Sequence, residues 1–191
     1  MKKVPEDLAA KLYAQGDRFL ADGAAVRLDE VAGVVGVPRA TLYYYFSGKD
    51  DLVSFLMTEK LSRIAAVVEQ ARAGDGSALD RFCAALRATV CELAANPPLC
   101  LNLMIAVGRM DAMAELLLVA DRAVMAPLRE LLIEARAVGD AQVADIETTV
   151  AALMGGVNFA VVQRYSVTGS VDPEALSSEL VAQYLDGLRV R

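Results

Sequence analysis

The chain has 191 residues, 55% of them hydrophobic and 23% charged, with a formal net charge of -6. That length and apolar content support a sizeable packed core and exclude a disordered chain. The absence of histidine removes serine–histidine and cysteine–histidine catalysis, histidine-ligated zinc and the usual proton shuttle near neutral pH.

The charge is unevenly spread. Residues 1–49 carry seven basic and six acidic groups, whereas the remainder carries 12 basic and 19 acidic ones, so the N-terminal quarter is the less acidic part. Met1, Lys2, Lys3, Val4 and Pro5 precede acidic residues and do not form an export signal. The run Val150 to Val162 is interrupted by Gly155, Gly156 and Asn158 and falls short of the roughly 18 apolar residues of a membrane span. A soluble cytoplasmic protein is expected, without a membrane partner. Its three cysteines then read as reduced thiols. Cys83 and Cys91 lie about 12 Å apart on one helix, beyond disulfide reach. Cys100 is expected to be a buried structural thiol, a redox switch being the alternative.

In chain order, helical periodicity begins at Pro5 to Ala21 through Leu8, Leu12 and Phe19, with Gly23 as a stop. A short helix from about Leu28 to Val35 ends at Gly36, and Val37 and Pro38 turn the chain into a third helix, Arg39 to Phe46. Ser47 with Asp50 predicts a capping box for a long fourth helix striped by Met57, Leu61, Ile64 and Val68, broken at Gly74 to Gly76. Ser77 with Asp80 repeats that pattern before Leu79, Phe82, Leu86, Val90 and Leu93. Leu99 to Val107, apolar all round except Asn102, predicts a buried helix. Residues 111 to 138 predict one long helix kinked at Pro127 and closed by Gly139, residues 145 to 166 another, and Asp172 with Pro173 opens a last one to Gly187. The expected fold class is all-α with about nine helices.

Two short helices joined by a glycine turn outline a helix-turn-helix unit, with Arg39 to Phe46 as its recognition helix. Successive helical side chains are about 100° apart, so Leu42 and Phe46 share a buried face while Tyr44 points away from it. Arg39, Ala40, Thr41 and Tyr44 then form an outward face short enough for a major groove: Arg39 for guanine or phosphate, Thr41 for phosphate, Tyr44 for a thymine methyl or sugar.

Val31-Ala32, Gly36-Val37, Thr41-Leu42-Tyr43-Tyr44-Tyr45-Phe46 and Lys49 resemble the pattern of the TetR family of bacterial transcription regulators, densely over residues 26 to 52. The chain departs from the usual pattern at Arg27 and Pro38, where hydroxyl side chains are common, and at Gly33 and Val34. The resemblance implies phosphate contacts for Tyr43, Tyr45 and Lys49. It also implies a helix-turn-helix DNA-binding domain over residues 1–48 and an effector-binding and dimerisation domain over 49–191.

In that second domain the last two long helices are expected to pair with their copies in a homodimer. Ala151, Gly155 and the adjacent Gly156 would allow close approach, and Met154, Leu180 and Tyr184 apolar contact. Two recognition helices about 34 Å apart would read a palindromic double-stranded DNA operator. Met104, Met110, Met113, Met125 and Met154 with Phe82, Leu86 and Phe159 suggest an adaptable pocket for a hydrophobic small-molecule effector, oriented by Asn102, Arg109, Asn158 or Gln163; core filling is the plainer reading of each.

The function expected is a ligand-responsive repressor released from its operator by that effector. A carrier or sequestering protein on the same scaffold is the alternative. No nucleophile–base pair, phosphate loop or metal cluster supports an enzyme, and no catalytic residue, metal site or cofactor is expected.

Overall fold

The computed structural model describes residues 3–22 and 26–188; the side chains of residues 22, 110–112 and 185–188 lie outside the described residues, as does the stop expected at Gly23. The all-α expectation holds. The helices are α1 (Glu6–Ala14), α2 (Gly16–Asp22), α3 (Leu28–Val35), α4 (Arg39–Tyr45), α5 (Lys49–Arg72), α6 (Ala78–Ala94), α7 (Pro97–Val107), α8 (Met110–Ala120), α9 (Ala126–Ala137), α10 (Ile146–Thr168) and α11 (Pro173–Leu188), with a π-helical turn at Asp121–Met125.

Two of the nine expected segments are divided. The first breaks at Gln15, whose φ of -111° and ψ of 7° leave the helical region, and the chain resumes at Gly16, a poor helix former. The segment over 111–138 breaks twice. Met113 is non-helical (φ -120°, ψ 15°), and the π-helical turn precedes Pro127, which has no N–H to donate to the preceding turn. Arg129 clamps that turn with two 2.8 Å hydrogen bonds to the Asp121 carboxylate, which they hold below the usual carboxylate range.

Helix ends follow the sequence at most points. Ser77 and Asp80 form the expected capping box of α6. Asp145 accepts from Thr148 N at 2.6 Å and Asp172 from Ala175 N at 3.1 Å. The box expected at Ser47 and Asp50 does not form. Gly48 is the N-cap of α5, and it is Asp51 that accepts the Ser47 N–H, at 2.9 Å.

α6 is the central helix, packed against α5, α9 and α11. One contiguous apolar core runs from Leu8 and Leu12 through Phe46 and Leu56 to Phe82 and Val157. α6 and α7 meet at a 98° bend. α7 inverts the sequence expectation: Leu101, Met104, Ile105 and Val107 are exposed, while Asn102 is buried. Its amide donates to Leu20 O at 2.9 Å and Pro98 O at 2.8 Å. An acceptor at the end of α2, where carbonyls lack partners within the helix, draws the one polar residue inward. α10 is long and apolar enough for a membrane span by length and composition, contrary to the sequence reading. One face of it, with Val150, Val157 and Val161, is packed inside the chain against α7 and α9.

Candidate nucleic-acid interface

α3 buries Leu28, Val31, Ala32 and Val35 and ends at Gly36 in the left-handed region (φ 69°, ψ 43°). That conformation suits glycine, and it lets Val37 N–H reach back to Ala32 O at 3.0 Å. Pro38 then presets an extended N-cap (φ -58°, ψ 141°), and Thr41 N–H donates to Pro38 O at 2.9 Å. This turn sets α4 on the scaffold. Leu42 and Phe46 are buried, and the Phe46 ring meets Phe55 edge-on at 5.5 Å, which in turn stacks on Tyr13 at 5.0 Å.

The opposite side of α4 is open. Tyr43 is 56% and Tyr44 59% exposed, Arg39, Ala40 and Lys49 are exposed, and Thr41 and Tyr45 are half-buried. The Tyr44 and Tyr45 rings meet edge-on at 4.9 Å. All seven residues expected at the DNA are thus within one short helix and the first residue of the next. The exposed Arg39 reaches the half-buried Asp29 on α3 at 3.4 Å, a partner that a phosphate can replace.

Behind this unit, Asp50 on the first turn of α5 takes a bidentate pair of hydrogen bonds from Arg109, at 3.0 and 2.7 Å. Sequence reasoning missed it, because 59 residues separate partners that only the fold of α5 against the α7–α8 corner brings together. The hydrogen bonds from Arg109 hold the Asp50 carboxyl below the usual carboxylate range.

The described residues expected at an effector pocket differ in their placement. Phe82 and Leu86 are sealed in the core, Met104 and Phe159 are exposed, Met125 is half-buried, and the Asn102 amide is bonded to Leu20 and Pro98. The side chain of Met110 lies outside the described residues. Met113 lines a cleft of about 810 Å³ between α4, α5 and α8. Asn158 donates to Met154 O at 2.8 Å, while its buried Oδ1 has no hydrogen-bond partner among the described residues. Cys100 is fully buried, and burial pushes its thiol up to about 12, as suits a core residue rather than a redox switch.

Of the residues expected at a dimer interface, Ala151 and Gly155 are exposed on α10, in one row with Phe159. Met154 is buried within the chain, and Leu180 and Tyr184 are half-buried. Gly156 serves packing inside the chain, since a Cβ there would stand 2.6 Å from the Tyr184 hydroxyl.

A short helix fixed by two apolar residues behind an exposed basic and phenolic face, entered through a left-handed glycine, forms a helix-turn-helix unit. Residues 21–54 match the model for bacterial regulatory proteins of the tetR family. The whole chain folds like solved regulators. A tetR-family regulatory protein from Rhodococcus RHA1 is 20% identical, with a TM-score of 0.75 over 95% of this chain and 97% of that one. The ketosteroid transcriptional regulator KstR2 of Mycobacterium tuberculosis is 14% identical, with a TM-score of 0.74 over 99% and 98%. The transcriptional regulator FadR from Bacillus subtilis, in complex with stearoyl-CoA, is 16% identical, with a TM-score of 0.72 over 92% and 95%. No curated protein matches. Over residues 21–54 the chain matches that family, and over its length it shares the fold of these solved regulators.

Proposed function

We propose that this protein is a transcription regulator of the TetR family, a dimeric repressor that grips a palindromic operator with two copies of α4 and is released by a hydrophobic small molecule. The observation that carries the reading is the division of α4, with Leu42 and Phe46 buried and Tyr43 and Tyr44 more than half exposed. Arg39, Ala40, Thr41 and Tyr44 meet base edges and phosphates, and Tyr43, Tyr45 and Lys49 flank them at the backbone. The operative division of the chain is 1–48 for DNA and 49–191 for effector and dimer.

Support for the dimer comes from α10, whose outward row Ala151, Gly155 and Phe159 offers small residues beside an exposed ring. Support for an apolar effector comes from the methionine-rich body and from the orphaned Asn158 Oδ1, which a guest's donor would satisfy. A fatty-acyl thioester bound to FadR and a ketosteroid regulator of the same fold are in keeping with that class. A guest shifts the protein only by its differential affinity for the two states, about 5.5 kcal/mol to reverse a 99:1 population.

The test is fluorescence anisotropy with the DNA flanking the protein's own coding region, at two salt concentrations. Native protein should bind selectively with a steep negative salt slope, and Tyr44→Ala should weaken binding about tenfold at unchanged stability, one contact being worth roughly 1–3 kcal/mol. Equal binding by both proteins would remove α4 from the interface.

A further inference from the structure

We propose that the cleft between α4, α5 and α8 is a separate ligand site, built for an organic cation with an apolar body. The cleft encloses about 810 Å³, enough for a small organic molecule. Among the described residues the charged side chains along it are Asp51, which accepts the Ser47 N–H, and Glu115, both acidic, and they stand on different walls, α5 and α8. Arg109, the nearby cation at the α7–α8 corner, is held by Asp50.

The rest of the lining has the same chemistry. Tyr43 and Tyr44 line the cleft, and aromatic faces attract cations. Met113 and Leu116, each buried against the core, give the wall an apolar footing. Met113 is also where α8 departs from helical geometry, and irregular backbone of this kind gathers at binding sites. Carboxylates on two walls, phenols on a third and an apolar base disfavour an anion and give a neutral guest no partner for the charges. A lipophilic cation satisfies all three. Of the described residues expected at an effector pocket only Met113 lines this cleft, and binding to it can be measured without DNA.

Isothermal titration calorimetry of the full chain with tetraphenylphosphonium, and with tetraphenylborate as the same shape of opposite charge, tests the proposal. Saturable binding of the cation is expected, with the anion at least about tenfold weaker. Glu115→Gln, at an exposed position, should weaken the cation about fivefold to tenfold with an unchanged circular dichroism spectrum, and Tyr43→Leu should weaken it further. Absence of saturable cation binding, equal binding of the anion, or native affinity in a folded Glu115→Gln variant would each overturn it.

Discussion

At Asp50 a single carboxylate reports on the contact between the first turn of α5 and the α7–α8 corner. Its folded pKa is depressed, first by the hydrogen bonds from Arg109. A depressed carboxylate contributes stability at pH values above its unfolded pKa, near 3.9, and that contribution is lost as pH falls through the lower folded value. Carboxyl-carbon NMR should place Asp50 below the ordinary aspartate range in native protein, and Arg109→Gln should return it upward. An unshifted resonance in native protein would mean the pair does not persist in solution. At this scale the sequence was legible where geometry fixes direction. The 100° spacing separated Leu42 and Phe46 from Tyr44, and the structure buries the first two and exposes the third. It was silent on Asn102 and Phe159. Composition singles out both residues but does not supply the phase of their helices, and it is the neighbours that turned one inward and the other outward.

Two glycines three residues apart on one element have opposite roles. Gly36 holds a φ of 69°, whereas Gly33 sits in the interior of α3 with nothing within 4 Å of where a Cβ would be. Gly36→Ala should therefore destabilise the protein by about 1–2 kcal/mol, and Gly33→Ala should stabilise it by up to about 1 kcal/mol. Urea unfolding of both variants checks the signs; a destabilised Gly33→Ala would show that the site is more crowded than the structure has it. Helix existence and most boundaries were legible from periodicity and caps, as Ser77, Asp145 and Asp172 show. What escaped was local competition. At the start of α5 two adjacent aspartates compete for one cap, and Asp51 takes it because Asp50 is held by Arg109. At Asp121–Met125 the proline kink takes a π-helical form that no residue pattern announces.

Among the described residues, three polar ties fasten α2 and the first turns of α5 to α7 and its two ends. Asn102 on α7 bonds Leu20 on α2. Lys60 on α5 joins Asp17 on α2 at 2.6 Å to Asn96 at the α6–α7 corner at 2.9 Å. Arg109 holds Asp50. α7 and its two ends thus touch every tie, so a movement of α7 reaches the recognition unit without passing along the whole of α5. Asn102→Ala leaves the Leu20 carbonyl without that donor, at a cost of about 1–3 kcal/mol. Hydrogen exchange should rise in α2 more than in α6; uniform protection across both would sink this route. None of these ties was legible in the sequence, because each joins residues separated by at least 36 positions.

The exposure of the Arg109–Asp50 pair alters how ionic strength acts on this protein. Its guanidinium and carboxylate are 45% and 41% exposed, so added electrolyte screens the tether as well as the protein's attraction for phosphates. On the proposed function, raising salt loosens this contact at the same time as it weakens binding to DNA, and the measured dependence of affinity on salt is then the sum of counterion release and a conformational equilibrium. Counting phosphate contacts from that slope alone would overestimate them in the native protein, and the excess is the part that disappears once the tether is cut.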